Sequence, residues 1–228
     1  MNKNTNFFDT KKLVGIAMFA ALAYCVAYFC SFIPEVAGFL SLDAKDAVIA
    51  IASFIYGPVA GVLISFVAAF IEFLTFGSAT AWYGFIMNFA SSAVFSVTAS
   101  FIYRKWRNTN GALLAFLSAI SATVAVMLLL NIFVTPIYLV KFYAMPENIA
   151  TQTVMDMLAT TLIPFNAAKS LLNSAVAMML YKPITTAMRR AGLLKGQGKM
   201  QINRAFVLVY VTAIITLAVA VIILIIIK

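Results

Sequence analysis

The stretch Leu162-Ile-Pro-Phe-Asn-Ala-Ala-Lys-Ser-Leu-Leu-Asn173 opens an apolar segment that nevertheless contains a lysine. Asn166, Lys169 and Asn173 are spaced at i, i+3 and i+7, so a helix places all three on one face. A lysine within a membrane span costs about 2.5–3.5 kcal/mol on insertion scales, so it needs a partner or a polar cavity. Two interpretations follow: Lys169 snorkels or pairs structurally, or it lines a binding pocket for a polar small molecule.

The composition indicates a polytopic membrane protein. Of the 228 residues, 64% are apolar and 10% are charged, and the mean hydropathy is +1.03. A spanning helix needs ~20 mostly apolar residues. The first apolar run is longer than the roughly 7–15-residue core of a signal peptide, so we expect it to remain as a span.

Composition also restricts the chemistry. Cys25 and Cys30 lie five residues apart, on different faces of a helix, which is poor geometry for a disulfide. The chain has no histidine and no carboxylate cluster in its sequence, which argues against a zinc site and a His-dependent nucleophile. We therefore expect no metal and no catalytic residues.

The net charge of +9 is distributed as a topology signal and does not indicate nucleic-acid binding. If loops alternate between the two sides of the membrane, most lysines and arginines fall on one side. The other side holds only Lys45 and Lys141, with Lys228 at the far terminus. Most of the acidic residues then lie outside, and the positive-inside rule places the N-terminus in the cytoplasm. The basic side collects Lys3, Lys11, Lys12, Arg104, Lys105, Arg107, Lys182, Arg189, Arg190, Lys195, Lys199 and Arg204, and the outer acids are Glu35, Asp43, Asp46, Glu147 and Asp156.

Apolar runs and breakers predict six helices and a seventh at the C-terminus. The fold class is thus an all-α membrane protein. The predicted helices cover about 13–33, 44–56, 59–76, 82–103, 112–140, 164–190 and 205–227, with an amphipathic piece near 153–162. The predicted organisation is a cytoplasmic lead (1–10), a membrane domain (11–191), a basic cytoplasmic linker (192–204) and an additional transmembrane helix (205–228).

Several features have two interpretations. Ala17/Ala21 and Ala23/Ala27 form small-xxx-small pairs that favour either packing within the bundle or docking to a separate subunit. Gly57, Gly61 and Ser65 form a second small-residue ridge. Asp43 is either an N-cap for the second helix or part of a loop closing over a pocket; Glu72, near a helix end, is interpreted as snorkelling, and Trp82 as an interfacial anchor.

Four polar side chains from three predicted helices lie at similar depth. Asn88, Asn131, Asn166 and Lys169 lie about 8–13 Å from the outer helix ends at 1.5 Å per residue. This predicts a cavity that opens outward. Asparagine amides suit an imide-like edge, a lysine suits a carbonyl oxygen, and aromatic side chains supply flat walls, so a planar and largely neutral heterocycle fits. Further candidates are Leu42 and Asp43 in the first loop, Tyr83, and Thr135 and Tyr138, which share a face with Asn131; Asn173 completes the candidate set.

The sequence resembles the substrate-binding S components of energy-coupling factor (ECF) vitamin transporters, most of all the riboflavin-specific members. The resemblance spans about residues 10–190. It is carried by the alanine-rich first helix, Tyr-Gly-Pro (56–58), Trp-Tyr-Gly-Phe-Ile-Met-Asn-Phe (82–89), Asn131 with Thr-Pro-Ile-Tyr (135–138), and Pro-Phe-Asn-Ala-Ala-Lys (164–169).

The resemblance implies a six-helix bundle in the bacterial cell membrane that binds riboflavin from outside, under the loop between the first two helices. It implies that Asn131, Asn166 and Lys169 contact the flavin ring, and that Ala17 and Ala21 contact a transmembrane coupling subunit, which works with two ATP-binding subunits. Riboflavin is then the bound substrate and no cofactor is required. The seventh helix departs from the family pattern.

Three functions remain as alternatives. The first is a riboflavin-binding transport subunit and not an enzyme; the chain has no Gly-x-x-x-x-Gly-Lys-Ser/Thr loop with which to use ATP itself. The second is an S component for another vitamin or a nucleobase-like precursor. The third is an integral membrane enzyme acting on a lipid, which the lack of histidine and of paired acids disfavours.

Overall fold

The structure, a computed structural model, describes residues 10–194 and 204–227. Within these ranges all regular secondary structure is helical, as predicted, apart from one isolated bridge between Val36 and Leu40. The helices are α1 (Thr10–Cys30), α2 (Lys45–Tyr56), α3 (Pro58–Leu74), α4 (Ala81–Lys105), α5 (Thr109–Tyr143), α6 (Glu147–Met157), α7 (Ile163–Arg190) and α8 (Arg204–Ile227). Nearly all of the predicted lead (1–10) and most of the predicted linker (192–204), with Lys3, Lys195 and Lys199, lie outside the described residues.

Two connections differ from the sequence prediction. The amphipathic piece expected near 153–162 is α6 followed by one π-helical turn, Leu158–Leu162, which runs directly into α7. The π-turn precedes Pro164, which cannot donate a backbone hydrogen bond and therefore favours an irregular turn at this point. A short 3-10 turn, Gly77–Thr80, joins α3 to α4.

Four of the described helices are long and apolar enough to cross a membrane: Thr10–Cys30, Ala81–Lys105, Asn110–Tyr143 and Val207–Ile227. The protein is therefore a multi-pass membrane protein. The short helix α2 lies inside the bundle instead, and its residues 45–53 are all buried. Because α1, α3, α4 and α7 surround it, α2 forms the centre of the hydrophobic core.

Small residues let these helices approach closely. A Cβ atom on Gly61 would lie 2.1 Å from Ser53 Oγ and 2.9 Å from Ser96 Oγ, so the ridge on α3 serves packing against α2 and α4. On α1, Ala23 and Ala27 are buried, whereas Ala17 and Ala21 are exposed. The two alanine pairs of α1 thus face different surroundings: Ala23 and Ala27 pack inside the bundle, and Ala17 and Ala21 face outward.

The bundle has two chemically different ends. At one end, Gly57 in the turn between α2 and α3 has a φ of 104°, and a Cβ there would lie 2.9 Å from a guanidinium nitrogen of Arg104. Tyr103 and Tyr181 meet at this end, with ring centroids 6.0 Å apart. The basic C-terminal parts of α4 and α7 therefore lie toward the same end of the bundle. The opposite end, where α1 and α3 finish and α4 and α7 begin, carries the loop that precedes α2.

Helix α8 supplies a hydrogen bond that α7 lacks at its internal proline. Pro183 lies inside α7 and lacks an N–H, so the carbonyl of Met179 has no helical donor four residues later. The Tyr210 hydroxyl of α8 donates a hydrogen bond to this carbonyl, at 2.7 Å. Ala213 and Ala220 are fully buried, which brings α8 close enough for that contact. The predicted seventh helix is therefore part of the bundle's hydrogen bonding.

We predict that Tyr210→Phe destabilises the protein by about 0.5–1.5 kcal/mol, the usual net contribution of one hydrogen bond, because this bond is partly buried. In a Pro183→Ala background, where an alanine N–H restores the helical bond, the same substitution should cost clearly less. Thermal unfolding of the unaltered chain, the two single variants and the double variant in detergent measures this cycle. Equal costs in both backgrounds would contradict the assignment.

Candidate functional site

A cavity of about 300 Å³ lies at the end of the bundle away from the arginine-rich termini. Its walls come from the end of α1, the loop that follows it, the end of α3, the first half of α4, the second half of α5 and the first turns of α7. This volume lies at the lower edge of the range for small-molecule pockets, roughly 300–1,000 Å³. The cavity is therefore a candidate binding site.

The structure brings nearly all of the predicted site residues to this cavity. Asn173 is the exception and is discussed below. The lining includes Leu42, Asp43, Tyr83, Asn88, Asn131, Thr135, Tyr138, Asn166 and Lys169. Lining residues that sequence reasoning did not single out as candidates include Glu35, Phe39, Leu40, Glu72, Phe76, Met127 and Phe165.

The two asparagines on α5 and α7 are held by their own helices. Asn131 donates from Nδ2 to the Met127 carbonyl at 2.7 Å, and its Oδ1 accepts from the Thr135 hydroxyl at 2.9 Å. Asn166 donates from Nδ2 to the Leu162 carbonyl at 2.8 Å. Each asparagine Nδ2 carries two hydrogens, and each asparagine Oδ1 can accept two hydrogen bonds. Both amides thus keep donor and acceptor capacity at the cavity wall, in fixed orientations.

Lys169 has a partner. Its Nζ lies 2.8 Å from Oδ2 of Asp43, so the interpretation of Lys169 as a structurally paired lysine and the interpretation as a cavity residue both apply. One ammonium hydrogen is used by Asp43, which leaves two for other acceptors. The carboxylate also fixes where the ammonium lies within the cavity wall.

A second ion pair lies behind the first. Lys45 Nζ forms an ion pair with Glu72 and lies 3.6 Å from Oδ2 of Asp43, and Asn88 donates to Glu72 Oε1 at 2.7 Å. Asp43 lies in the loop before α2, as predicted, whereas Lys45, counted with that loop, begins the helix; both side chains are buried. The interpretation of Glu72 as snorkelling is wrong, because its side chain is buried and paired with Lys45. Asp46 is buried too, and accepts a hydrogen bond from Ser92.

One sequence signal would have found this network. Glu72 and Lys169 lie within apolar helices, and Asp43, Lys45 and Asp46 directly precede or begin another. Charges at membrane depth pair with one another more often than they face lipid. Five such charges of both signs therefore predict mutual pairing, although their partners depend on how the helices pack.

Asp43 is not the N-cap of α2. Ala44 holds that position without a side-chain bond, whereas Asp43 Oδ1 accepts from the Lys45 backbone N–H at 3.2 Å. Burial alone would raise the pKa of Asp43, but the positive charges of Lys169 and Lys45 outweigh it and lower that pKa to about 2. The carboxylate is therefore ionised at neutral pH.

Asn173 differs from the other predicted site residues, because it is fully buried and does not line the cavity. Its Oδ1 accepts from the Ala47 backbone N–H at 2.8 Å, and its Nδ2 donates to the Asp43 carbonyl at 2.9 Å. Ala47 is in the first turn of α2, where N–H groups lack helical partners. Asn173 thus caps α2 from α7 and fixes the position of the loop residue Asp43.

Aromatic rings form part of the cavity wall. Tyr83 and Tyr138 lie with ring centroids 6.2 Å apart, and Phe39 of the first loop lies 6.4 Å from Tyr138. Trp82 instead packs against Phe73, with ring centroids 4.5 Å apart and the rings tilted by 32°; it is exposed and does not line the cavity. The walls are therefore flat and largely apolar, with the amide and ammonium groups concentrated on α5 and α7.

Known proteins are similar to this chain in sequence and in architecture. The riboflavin transporter RibU of Staphylococcus aureus (strain TCH60) is 29% identical over 191 residues, which is 82% of this chain and 97% of the relative. The riboflavin transporter FmnP of Bacillus subtilis (strain 168) is 23% identical over 173 residues, 75% of this chain and 90% of the relative.

A solved structure described as the S component of a bacterial ECF transporter superimposes with a TM-score of 0.63. It is 28% identical, and the match covers 79% of this chain and 99% of that one. The family described as "ECF transporter, substrate-specific component" matches residues 11–181, a range that contains every candidate cavity residue. The chain therefore belongs to the family of substrate-specific components of ECF transporters.

Proposed function

We propose that this chain is the riboflavin-binding subunit of an ATP-driven ECF vitamin uptake transporter. The observation that carries the proposal is the convergence of Asn131, Asn166 and Lys169 on one cavity of about 300 Å³. Relatives that match most of the chain are named riboflavin transporters. Riboflavin is the bound substrate, and we expect neither a cofactor nor catalysis.

The polar groups suit the dione edge of a flavin ring. That edge alternates carbonyl acceptors with one imide N–H donor. Asn131 and Asn166 each retain an N–H and a carbonyl lone pair, and Lys169 retains two hydrogens for a ring carbonyl after pairing with Asp43. A buried polar edge that meets such partners loses no hydrogen bond on leaving water. Tyr83, Tyr138 and Phe39 supply flat surfaces for the ring.

The ion pairs support this role because they fix the positions of the loop before α2 and of the Lys169 ammonium. Asp43 belongs to the loop before α2, and its bond to Lys169 ties that loop to α7 at the cavity. The loop residues Phe39 and Leu40 also pack on a small apolar cluster that includes Leu139, Ala150, Val154 and Leu162. We propose that the loop covers bound riboflavin and that the ion pair holds both the loop and the ammonium in place.

We propose that the cavity faces outward and the N-terminus lies in the cytoplasm of a bacterium. The cavity lies at the opposite end from Arg104, Lys105 and the two arginines that end α7. The positive-inside rule assigns such basic ends to the cytoplasm. Riboflavin would then enter from outside into a binding domain formed by residues 11–191, and the final helix is an addition to that domain.

We propose that a transmembrane coupling subunit and two ATP-binding subunits complete the transporter. The chain lacks a phosphate-binding loop of its own. On α1, Ala17 and Ala21 are exposed, one turn apart, and such small residues permit close approach of another helix. This face of α1 is our candidate contact with the coupling subunit.

Titration of the purified chain with riboflavin tests the function directly. We expect saturable quenching of flavin fluorescence with one site per chain. Protein purified from cells should be yellow if flavin remains bound. A colourless preparation that does not quench added riboflavin would instead favour a different vitamin or a nucleobase-like precursor, and turnover of a lipid would favour an enzyme.

We predict that Asn131→Ala weakens riboflavin binding by about 1–3 kcal/mol, because the flavin edge would lose a partner in a buried site. The matched control is Asn110→Ala, which changes an exposed asparagine at the other end of α5 and should leave affinity unchanged. Fluorescence titration gives both values. Unchanged binding in Asn131→Ala would place the flavin edge elsewhere.

We predict that Lys169→Met lowers stability by about 3 kcal/mol, since it leaves the buried Asp43 carboxylate without its nearest cation. Adding Asp43→Asn should restore most of that stability but not riboflavin affinity. Thermal unfolding and titration separate the two effects. A double variant that binds riboflavin as the unaltered chain does would make Lys169 a purely structural residue.

We predict that Ala17→Trp leaves riboflavin binding unchanged but impairs uptake in cells that express the complete transporter, because the indole would block close helix contact. Ala218→Trp on the exposed face of α8 is the control and should affect neither property. Lost binding in Ala17→Trp would instead assign that alanine to internal packing.

A further inference from the structure

The cavity carries one unbalanced charge. Its charged lining residues, within the described part of the chain, are Glu35, Asp43, Glu72 and Lys169. Asp43 is paired with Lys169, and Glu72 is paired with Lys45 from behind the wall. Glu35 takes part in none of the ion pairs found among residues 10–194 and 204–227. The lining charge that remains uncompensated is therefore negative.

The backbone around Glu35 holds it at the rim of the cavity. Glu35 is exposed and directly precedes a tight turn in which the N–H of Val36 donates to the Leu40 carbonyl at 2.9 Å and the N–H of Leu40 donates back at 3.0 Å. Gly38, with a φ of 78°, permits this turn. Phe39 and Leu40 then pack on the apolar cluster beside α6. The rim carboxylate therefore belongs to an ordered loop.

This arrangement favours the binding of neutral ligands over that of phosphorylated ligands. The lysines beside the cavity floor, Lys45 and Lys169, are already paired with carboxylates, so a phosphate there would be desolvated without a free cation. A phosphoryl group carries about −1.5 to −2 charge at pH 7. A phosphorylated tail must therefore stay at the hydrated mouth of the cavity, where it meets Glu35.

We propose that the Glu35 carboxylate is a specificity-determining group that disfavours phosphorylated forms of the ligand by like-charge repulsion at the rim. The inference rests on the proposed function, in which riboflavin occupies this cavity, and adds that its 5′-phosphate ester binds less well because of Glu35. Riboflavin itself has a neutral hydroxylated tail and experiences no such repulsion.

Titrations of the full chain with riboflavin and with flavin mononucleotide test the proposal. We expect Glu35→Gln to tighten mononucleotide binding about three- to tenfold, the size of a charge interaction near water, with riboflavin affinity unchanged. Glu147→Gln is the matched control, because it removes the same charge from an exposed residue of α6 outside the cavity lining. It should change neither affinity. Added salt should narrow the difference between the two flavins in the unaltered chain.

The outcomes are distinct. Equal affinities for both flavins in the unaltered chain, or an unchanged mononucleotide affinity in Glu35→Gln, would overturn the role of Glu35. So would an equal gain in Glu147→Gln, which would indicate a general surface effect, or a loss of riboflavin affinity in Glu35→Gln, which would make the carboxylate a direct ligand contact. If the unaltered chain binds neither flavin, the proposed function itself fails.

Discussion

The buried ion pairs around Asp43 are the interaction on which the rest of the binding end depends. Asp43 contacts Lys169 of α7 and approaches Lys45 of α2, which in turn pairs with Glu72 of α3. Desolvating such charges costs several kcal/mol per ion, so the arrangement is stable only if each charge keeps its partner. The network therefore fixes the mutual positions of one loop and three helices, and with them the shape of the cavity.

The same pairing gives the cavity its chemical character. Because the carboxylates of Asp43 and Glu72 neutralise the two lysines, the interior offers directed donors and acceptors with little net charge. Asn131 and Asn166 are oriented by bonds within their own helices, so they need not reorganise to meet a ligand. Preorganised amides and flat walls suit a neutral, planar ligand better than an anion.

Away from the cavity, stability depends on close helix packing and on hydrogen-bond partners for the backbone groups. Gly61 allows α3 to lie against the serines of α2 and α4, and Tyr210 satisfies the carbonyl that Pro183 leaves without a donor. An unsatisfied backbone group inside a membrane protein is costly because no water replaces the missing partner. Helix α8 lies outside the family match at residues 11–181, yet it completes the hydrogen bonding of α7.

The sequence by itself determined the helical membrane fold, the segregation of basic residues, and the candidate face on α7, because apolar run length, charge placement and i, i+3 spacing are local properties. It also indicated Asn131, Asn166 and Lys169 together, since their depths follow from helix rise. Only the tertiary structure decided that Asp43, Lys45 and Glu72 are buried partners, and that Asn173 caps α2 and does not face the cavity. The contact of Lys45 with Glu72 joins residues 27 positions apart, and that of Asn173 with Asp43 joins residues 130 positions apart. Which side chains meet across such distances depends on how the helices pack, and packing is not encoded in any single stretch of the chain.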